Sequence, residues 1–298
     1  IAERRKGYSR MPQKKTETEL ERHVRLIFRD LNKPAAAQSM KPPLSLSLAL
    51  EKAISPSEKR DSFALHLDPA LPALFATAAV EIWMRAIHSF LISAWLTDSS
   101  AVWASVSGYY SSHYCMRGFA HLCGYFQLFH RRRIIRLERN GDPRSCRVEK
   151  KQGSDREHTF YWKIVNAQPE FSDDPLFTDN PEKTDTTDVG HRSRANYADH
   201  INKFQRITPP AEEAIRARVQ QISTVQFEAP PIPRMDKFPD IVNVQVVAYH
   251  RIVRFRRFLD EILGIENRFW TAYRNPSWLK GLISFQLVEG DGLRALHK

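Results

Sequence analysis

The stretch from Ser99 to Phe129, SSAVWASVSGYYSSHYCMRGFAHLCGYFQLF, contains no proline and one formal charge, Arg117, and it carries apolar residues on nearly every helical face. A segment of that kind escapes water best as the buried central helix of a bundle. At the helical period Trp103, Val106, Tyr110, Tyr114 and Leu128 fall on one side. Ser107, Ser111, Cys115 and Gly118 form a second, small-residue side on which a neighbour can approach closely. His113, Arg117 and His121 interrupt the segment at i, i+4 and i+8 as one polar stripe. Each needs a partner, because an unpaired buried polar group costs on the order of 2 to 7 kcal/mol.

The preceding segment reads as the antiparallel partner of this helix. Pro69 to Thr97, PALPALFATAAVEIWMRAIHSFLISAWLT, is long enough to span a bilayer. However, Glu81, Arg85 and His88 stand near its middle at i, i+4 and i+7. A lipid-facing helix would lose roughly 2.5 to 3.5 kcal/mol for each charge there. The expectation is a core helix with an internal Glu81–Arg85 pair and no membrane partner. Thr97-Asp98-Ser99-Ser100 supplies a short turn and an N-cap between the two helices. Two roles fit the stripes His113, Arg117, His121 and Glu81, Arg85, His88: a satisfied polar seam in the bundle, or the lining of a pocket.

Around this hairpin the chain divides into an accessory region, residues 1–60, and a main domain, residues 61–298. Residues 1–15 are basic and nearly devoid of aliphatic side chains, which predicts a disordered arm; no apolar segment follows, so no signal peptide is expected. Thr16 to Asn32 places Leu20, Val24, Ile27 and Leu31 at helical spacing behind a threonine cap, and Leu44 to Ile54 predicts a shorter helix. After Phe129 the period changes. RRRIIRLER, SCRVEKK and TFYWKIV, separated by turn signals, predict a three-stranded antiparallel meander over about 130–166 with a basic outer face. The Asp-, Thr- and Pro-rich residues 166–190 predict a long exposed loop. Helical pattern resumes at HRSRANYADHINKF, at AEEAIRARVQQIS and over Asp240 to Gly264, where Ile241, Val244, Val247, Ile252, Phe255, Leu259 and Leu263 are available for burial. Glu266 to Arg274 predicts one more, aromatic-rich helix. The fold class is therefore mainly α, a helical bundle with a small antiparallel β-meander inserted after its central helix.

Charge and cysteine usage narrow the partners. The 298 residues carry a net charge of +11, which favours a polyanion: RNA or other nucleic acid, or an acidic protein. Cys115, Cys123 and Cys146 are odd in number and form no C-x-x-C pair, which argues against a disulfide framework or a zinc knuckle and for a reducing, cytoplasmic setting. The chain has no P-loop, no Rossmann glycine fingerprint, no HExxH and no GxSxG, and neither a cofactor nor a metal is expected. Arginine with interleaved Ile, Val and Phe makes Arg131, Arg132, Arg133, Arg251, Arg254 and Arg257 the candidates for contacts with nucleic acid; the same pattern is also that of an ordinary half-buried strand or helix.

The remaining constellation is Arg194-Ala-Asn-Tyr-Ala-Asp-His200, at the start of a predicted helix behind a polar loop. Its spacing puts Arg194 and His200 less than two turns apart, near a helix N-terminus that also favours phosphate. An imidazole titrates near neutrality and a guanidinium binds phosphate oxygens bidentately. So loose a spacing recurs in the chain, at Arg60 and His66, and solvated helix residues have the same look. Together SGYYSSHYCMRGFAHL and Arg194-x5-His200 resemble the HEPN family. Its members are helical-bundle proteins, many of them metal-independent ribonucleases with an aromatic helix and an arginine followed after four to six residues by a histidine. Asn196 stands near the arginine instead of directly after it. The resemblance implies that His200 performs acid–base chemistry on the RNA 2′-hydroxyl and that Arg194 stabilises the phosphate charge. It further implies a homodimer with facing motifs, acting as a toxin or antiviral defence effector that is held by a protein partner or inhibitor until released. The alternative is a non-enzymatic helical adaptor or subunit that holds nucleic acid or an acidic protein on a basic face.

Overall fold

A computed structural model describes residues 17–29, 46–66, 71–128, 131–138, 145–151, 157–174, 176–177, 212–225 and 241–264. In chain order the elements are α1 (Glu19–Phe28), α2 (Leu46–Ala53), β1 (Ser62–His66), α3 (Leu71–Leu96), α4 (Ala101–Leu122), β2 (Tyr125–Leu128), β3 (Arg133–Leu137), β4 (Ser145–Lys150), α5 (Glu157–Asn166), α6 (Glu212–Thr224) and α7 (Ile241–Leu263). The architecture is mainly α with a small antiparallel sheet, as the sequence implies.

The centre is the α3–α4 hairpin, with α7 against both helices. Ser100 caps α4 by accepting from the Trp103 N–H. The small-residue side of α4 does what its composition implies. Ser111 Oγ donates to the Ala86 carbonyl at 2.7 Å, and Ser93 Oγ of α3 donates to the Ala104 carbonyl at 2.6 Å. Cys115 Sγ lies 3.1 Å from the Arg251 carbonyl of α7. At Gly118 a Cβ would stand 3.1 Å from Phe255 and 3.3 Å from the Ala79 carbonyl oxygen, so any larger residue would push the three helices apart. The aromatic side is less uniform: Val106 is buried, whereas Trp103 is 60% exposed. Among the described residues α3 alone is long and apolar enough to cross a membrane, and 67% of its apolar window is buried inside the fold.

α4 stops at Leu122, short of the Phe129 that its apolar run suggests. The reason is Gly124, with φ +84, a left-handed conformation that glycine adopts without strain. A Cβ there would also sit 3.0 Å from His23 and 3.2 Å from Leu137 Cβ. The chain turns at once into β2, which pairs with β3. The sheet order is β1-β4-β3-β2, all antiparallel. Only β3 and β4 come from the predicted meander. Its third strand, TFYWKIV, is instead helix α5, and the outer positions are filled by β2 and by β1, where no strand is expected. Aromatic and β-branched residues favour a strand by propensity, but the tertiary structure buries Tyr161 and Val165 completely and Trp162 almost so, on one helical wall against α4.

The other helices follow their pattern. α1 begins with a capping box: Glu21 N–H donates to Thr18 Oγ1 at 3.2 Å and Thr18 N–H to Glu21 Oε2 at 2.9 Å, an arrangement worth about 1 kcal/mol. It buries Leu20, Val24 and Ile27; α7 buries Val244, Val247, Ile252, Phe255, Leu259 and Leu263. Residues 166–177 are not the exposed loop that their composition implies, because Phe171 and Phe177 are fully buried, each with its ring centroid 5.0 Å from that of Phe119. The predicted basic arm, residues 178–190 of the predicted loop, the predicted helix HRSRANYADHINKF and the segment from Glu266 to Arg274 lie outside the described residues.

Candidate functional site

Arg194, Asn196 and His200 lie outside the described residues. The second hit to the same spacing is described. Arg60 and His66 bracket β1, and six residues of extended chain separate them by about 20 Å. They form no common site, and Arg60 instead grips Glu58 through Nε at 2.9 Å and Nη2 at 2.6 Å. That guanidinium holds the Glu58 carboxyl down at a pKa of about 2.

The stripe on α4 is packed among aromatic rings. His113 is 2% exposed and lies parallel to the Tyr109 ring, 6.3 Å away, with Tyr161 of α5 at 6.0 Å. The Arg117 guanidinium sits 5.5 Å from the Tyr161 ring and 6.0 Å from that of Phe126 in β2. His121 Nδ1 bonds the Tyr125 carbonyl at 2.8 Å, which makes Nδ1 the protonated nitrogen of a neutral ring. Burial, together with the Arg117 charge, pushes its pKa down to about 3, so it stays neutral at physiological pH. Glu81 and Arg85 are exposed on α3 and His88 is half-buried, its pKa lowered by burial. The stripe thus joins α4 to α5 and the sheet.

The candidate cations divide sharply. Arg133 is 6% exposed and donates through Nη1 to the Arg60 carbonyl at 2.6 Å and through Nη2 to the Glu58 carbonyl at 2.9 Å. Arg131 donates to the Ile54 carbonyl. Both tie β3 to the segment that leads into β1. Arg251 is fully buried, with Nε donating to the Leu176 carbonyl at 2.9 Å and its guanidinium 4.4 Å from the Trp162 ring centroid. Arg254 Nε pairs with Asp174 Oδ2 at 3.1 Å. Of the six, Arg132 and Arg257 are exposed.

The sheet exposes two arginines outside that group. Alternation along β3 and β4 sends Ile135, Leu137, Cys146 and Val148 inward, each at most 1% exposed, and Arg136 and Arg147 outward. Register sets Tyr125, Arg136, Arg147 and Ala64 in one row across all four strands. Arg136 and Arg147 are therefore direct cross-strand neighbours, a like-charge pair that costs about 0.2 to 1 kcal/mol. Arg147 is offset by Glu149 at 3.2 Å and by the Ser62 hydroxyl at 3.0 Å. Arg136 has no carboxylate within ion-pair distance among the described residues; its guanidinium lies 5.5 Å from the Tyr125 ring centroid. The period-two pattern in RIIRL and SCRVEK is the signal that finds these two residues.

Other chemistries find little support in the described residues. No group of three or more His, Cys, Asp or Glu is placed to hold a metal ion among them. The three cysteines are free and buried, and burial pushes the thiols of Cys115 and Cys146 up, away from thiolate chemistry. A groove of about 470 Å³ between α1 and α7 is lined by Glu19, Glu21, Glu170 and Glu261 with Arg254 as its one cation, the wrong sign for a phosphate chain. The class that the fold defines is a mainly α bundle carrying a four-stranded antiparallel sheet. In comparisons with family models, curated proteins and solved structures, nothing matches the chain.

Proposed function

We propose that the chain is a metal-independent endoribonuclease of HEPN type, acting in the cytoplasm as a toxin or antiviral defence effector. The observation that carries this reading is Arg194-x5-His200 in a chain of net charge +11 whose aromatic helix resembles that of the family. In this reading His200 takes the proton from the RNA 2′-hydroxyl as it attacks the adjacent phosphorus and returns a proton to the leaving 5′-oxygen. Arg194 neutralises the charge that builds on the phosphate oxygens, and Asn196 supplies a further contact. Two copies face each other, each contributing one Arg–His pair, and a protein inhibitor or activator controls access.

The test is cleavage of RNA in EDTA by the wild-type protein and by Arg194→Ala and His200→Ala. Loss of acid–base catalysis costs about 10² to 10⁴ in rate, so both variants should be nearly inactive while melting like the parent. Unchanged cleavage in either one removes that residue from the mechanism. The second reading is a non-enzymatic helical adaptor or subunit that holds nucleic acid or an acidic protein. The exposed Arg136–Arg147 pair favours it, since that pair needs no catalytic residue to act; RNA binding without cleavage in the wild type selects it.

A further inference from the structure

We propose that the solvent face of the sheet, centred on the row Tyr125, Arg136 and Arg147, is a docking surface for single-stranded RNA. The proposal rests on the RNA-directed reading above and concerns where the strand lies, not how it is cut.

Three observations carry it. Arg136 and Arg147 are both exposed and are held side by side by the β3–β4 register, a like-charge contact that Glu149 offsets on the Arg147 side and that an anion lying across the pair would relieve further. Their charge continues toward one end of the sheet, where Arg132 is exposed and its carbonyl accepts from the Lys151 N–H at 2.7 Å. Among the described residues, the alternation sets Arg132, Arg136, Arg147 and Lys151 on this face against the carboxylates Glu138 and Glu149, and Glu149 is engaged with Arg147. Finally, the half-buried ring of Tyr125 closes the row, with the Arg136 guanidinium 5.5 Å from its centroid. A half-buried ring beside an exposed guanidinium offers planes on which unpaired bases stack, while the cations meet the phosphates. An acidic peptide would use the cations and leave the ring idle, and a duplex keeps its bases stacked on one another.

The experiment follows fluorescence anisotropy of 5′-labelled single-stranded RNA in EDTA over a series of salt concentrations. It uses the full chain carrying His200→Ala so that the strand stays intact. Adding Arg136→Glu and Arg147→Glu should weaken binding by at least about tenfold. The slope of log K against log salt should become shallower by about 1.4, the value for two phosphate contacts on a single strand. Tyr125→Ala should weaken binding by about tenfold and leave the slope unchanged. Arg136→Glu relieves the like-charge contact, so its melting temperature should equal or exceed the parent's. Arg136→Gln with Arg147→Gln gives the same direction at smaller amplitude if the reversed variant fails to fold. Parental affinity in the charge variants, no RNA binding by the parent, or equal competition by duplex RNA or polyglutamate overturns the proposal. Wild-type cleavage is read separately. Absent cleavage with the binding results intact removes the nuclease and leaves the surface; cleavage with binding indifferent to these substitutions removes the surface and leaves the nuclease.

Discussion

The arginines of the sheet and those of α7 have much the same local composition and opposite surroundings. In β3, Arg133 points inward and Arg136 outward, and Arg147 joins it from β4, so the strand period divides cations between a structural and a solvent-facing set. In α7 most of the set is taken up by the fold. Arg251 and Arg254 together hold Leu176 and Asp174, through the Leu176 carbonyl and the Asp174 carboxylate, and Arg256 pairs with Asp260 at 2.8 Å. Asp174 also accepts from the Leu176 N–H at 3.0 Å. Arginine density along the chain is therefore a poor guide to a polyanion surface. What matters is which face the neighbouring elements leave open.

This contrast breaks first at Arg251. Arg251→Ala leaves the Leu176 carbonyl without its donor and a cavity beside Trp162, and should lower stability by about 3 kcal/mol in urea unfolding. A loss within the range of a surface substitution would mean that α7's cations are not structural. Arg133→Met keeps the apolar stem but drops two carbonyl contacts; an expected loss of about 2 kcal/mol, read the same way, would place it with Arg251 and apart from Arg136.

A third measurement concerns pH. His121 has its folded pKa depressed to about 3 from an ordinary value near 6.5, so the unfolded chain binds the proton more readily in that window. Stability from this ring is complete above about pH 6.5 and is lost as pH falls toward about 3, at up to roughly 1.4 kcal/mol per pH unit. Unfolding curves between pH 7 and pH 4.5 should show the fall, and His121→Gln should flatten it; an unchanged slope would mean that another group carries it. The smallest effects belong to two exposed arginines, Arg257 of α7 and Arg136 of the sheet. Arg257→Ala and Arg136→Gln should each move stability by less than about 0.5 kcal/mol, and a larger loss in Arg136→Gln would transfer it to the structural set.

Much of the helical frame is legible in the chain itself. The Thr18 capping box, the Ser100 cap, the α3–α4 hairpin and the buried positions of α7 all follow from contacts within a few residues and from one apolar period. The end of α4 was not: the apolar run reads on to Phe129, and only Gly124, with a φ of +84, shows why the residues beyond it form a strand instead of more helix. Nor was TFYWKIV: its residue types favour β, and its helical state depends on the wall that His113, Arg117 and His121 of α4 offer to Tyr161. The candidate cations suffered the same limit, since Arg131 through Arg133 read alike in sequence. Arg194, Asn196 and His200 rest on sequence alone.

By itself, then, the sequence determined where several helices begin, that the helix starting behind Ser100 would lie at the centre, and that the chain would be strongly basic. Caps and apolar period act over one or two turns, so each is written locally. Only the tertiary structure decided that β1 would complete the sheet, that Arg133 and Arg251 would be spent on backbone carbonyls, and that Arg136 and Arg147 would stand together in solvent. Those outcomes depend on pairings between residues tens of positions apart, where register and neighbouring surfaces, not the residue's own chemistry, set which face meets water.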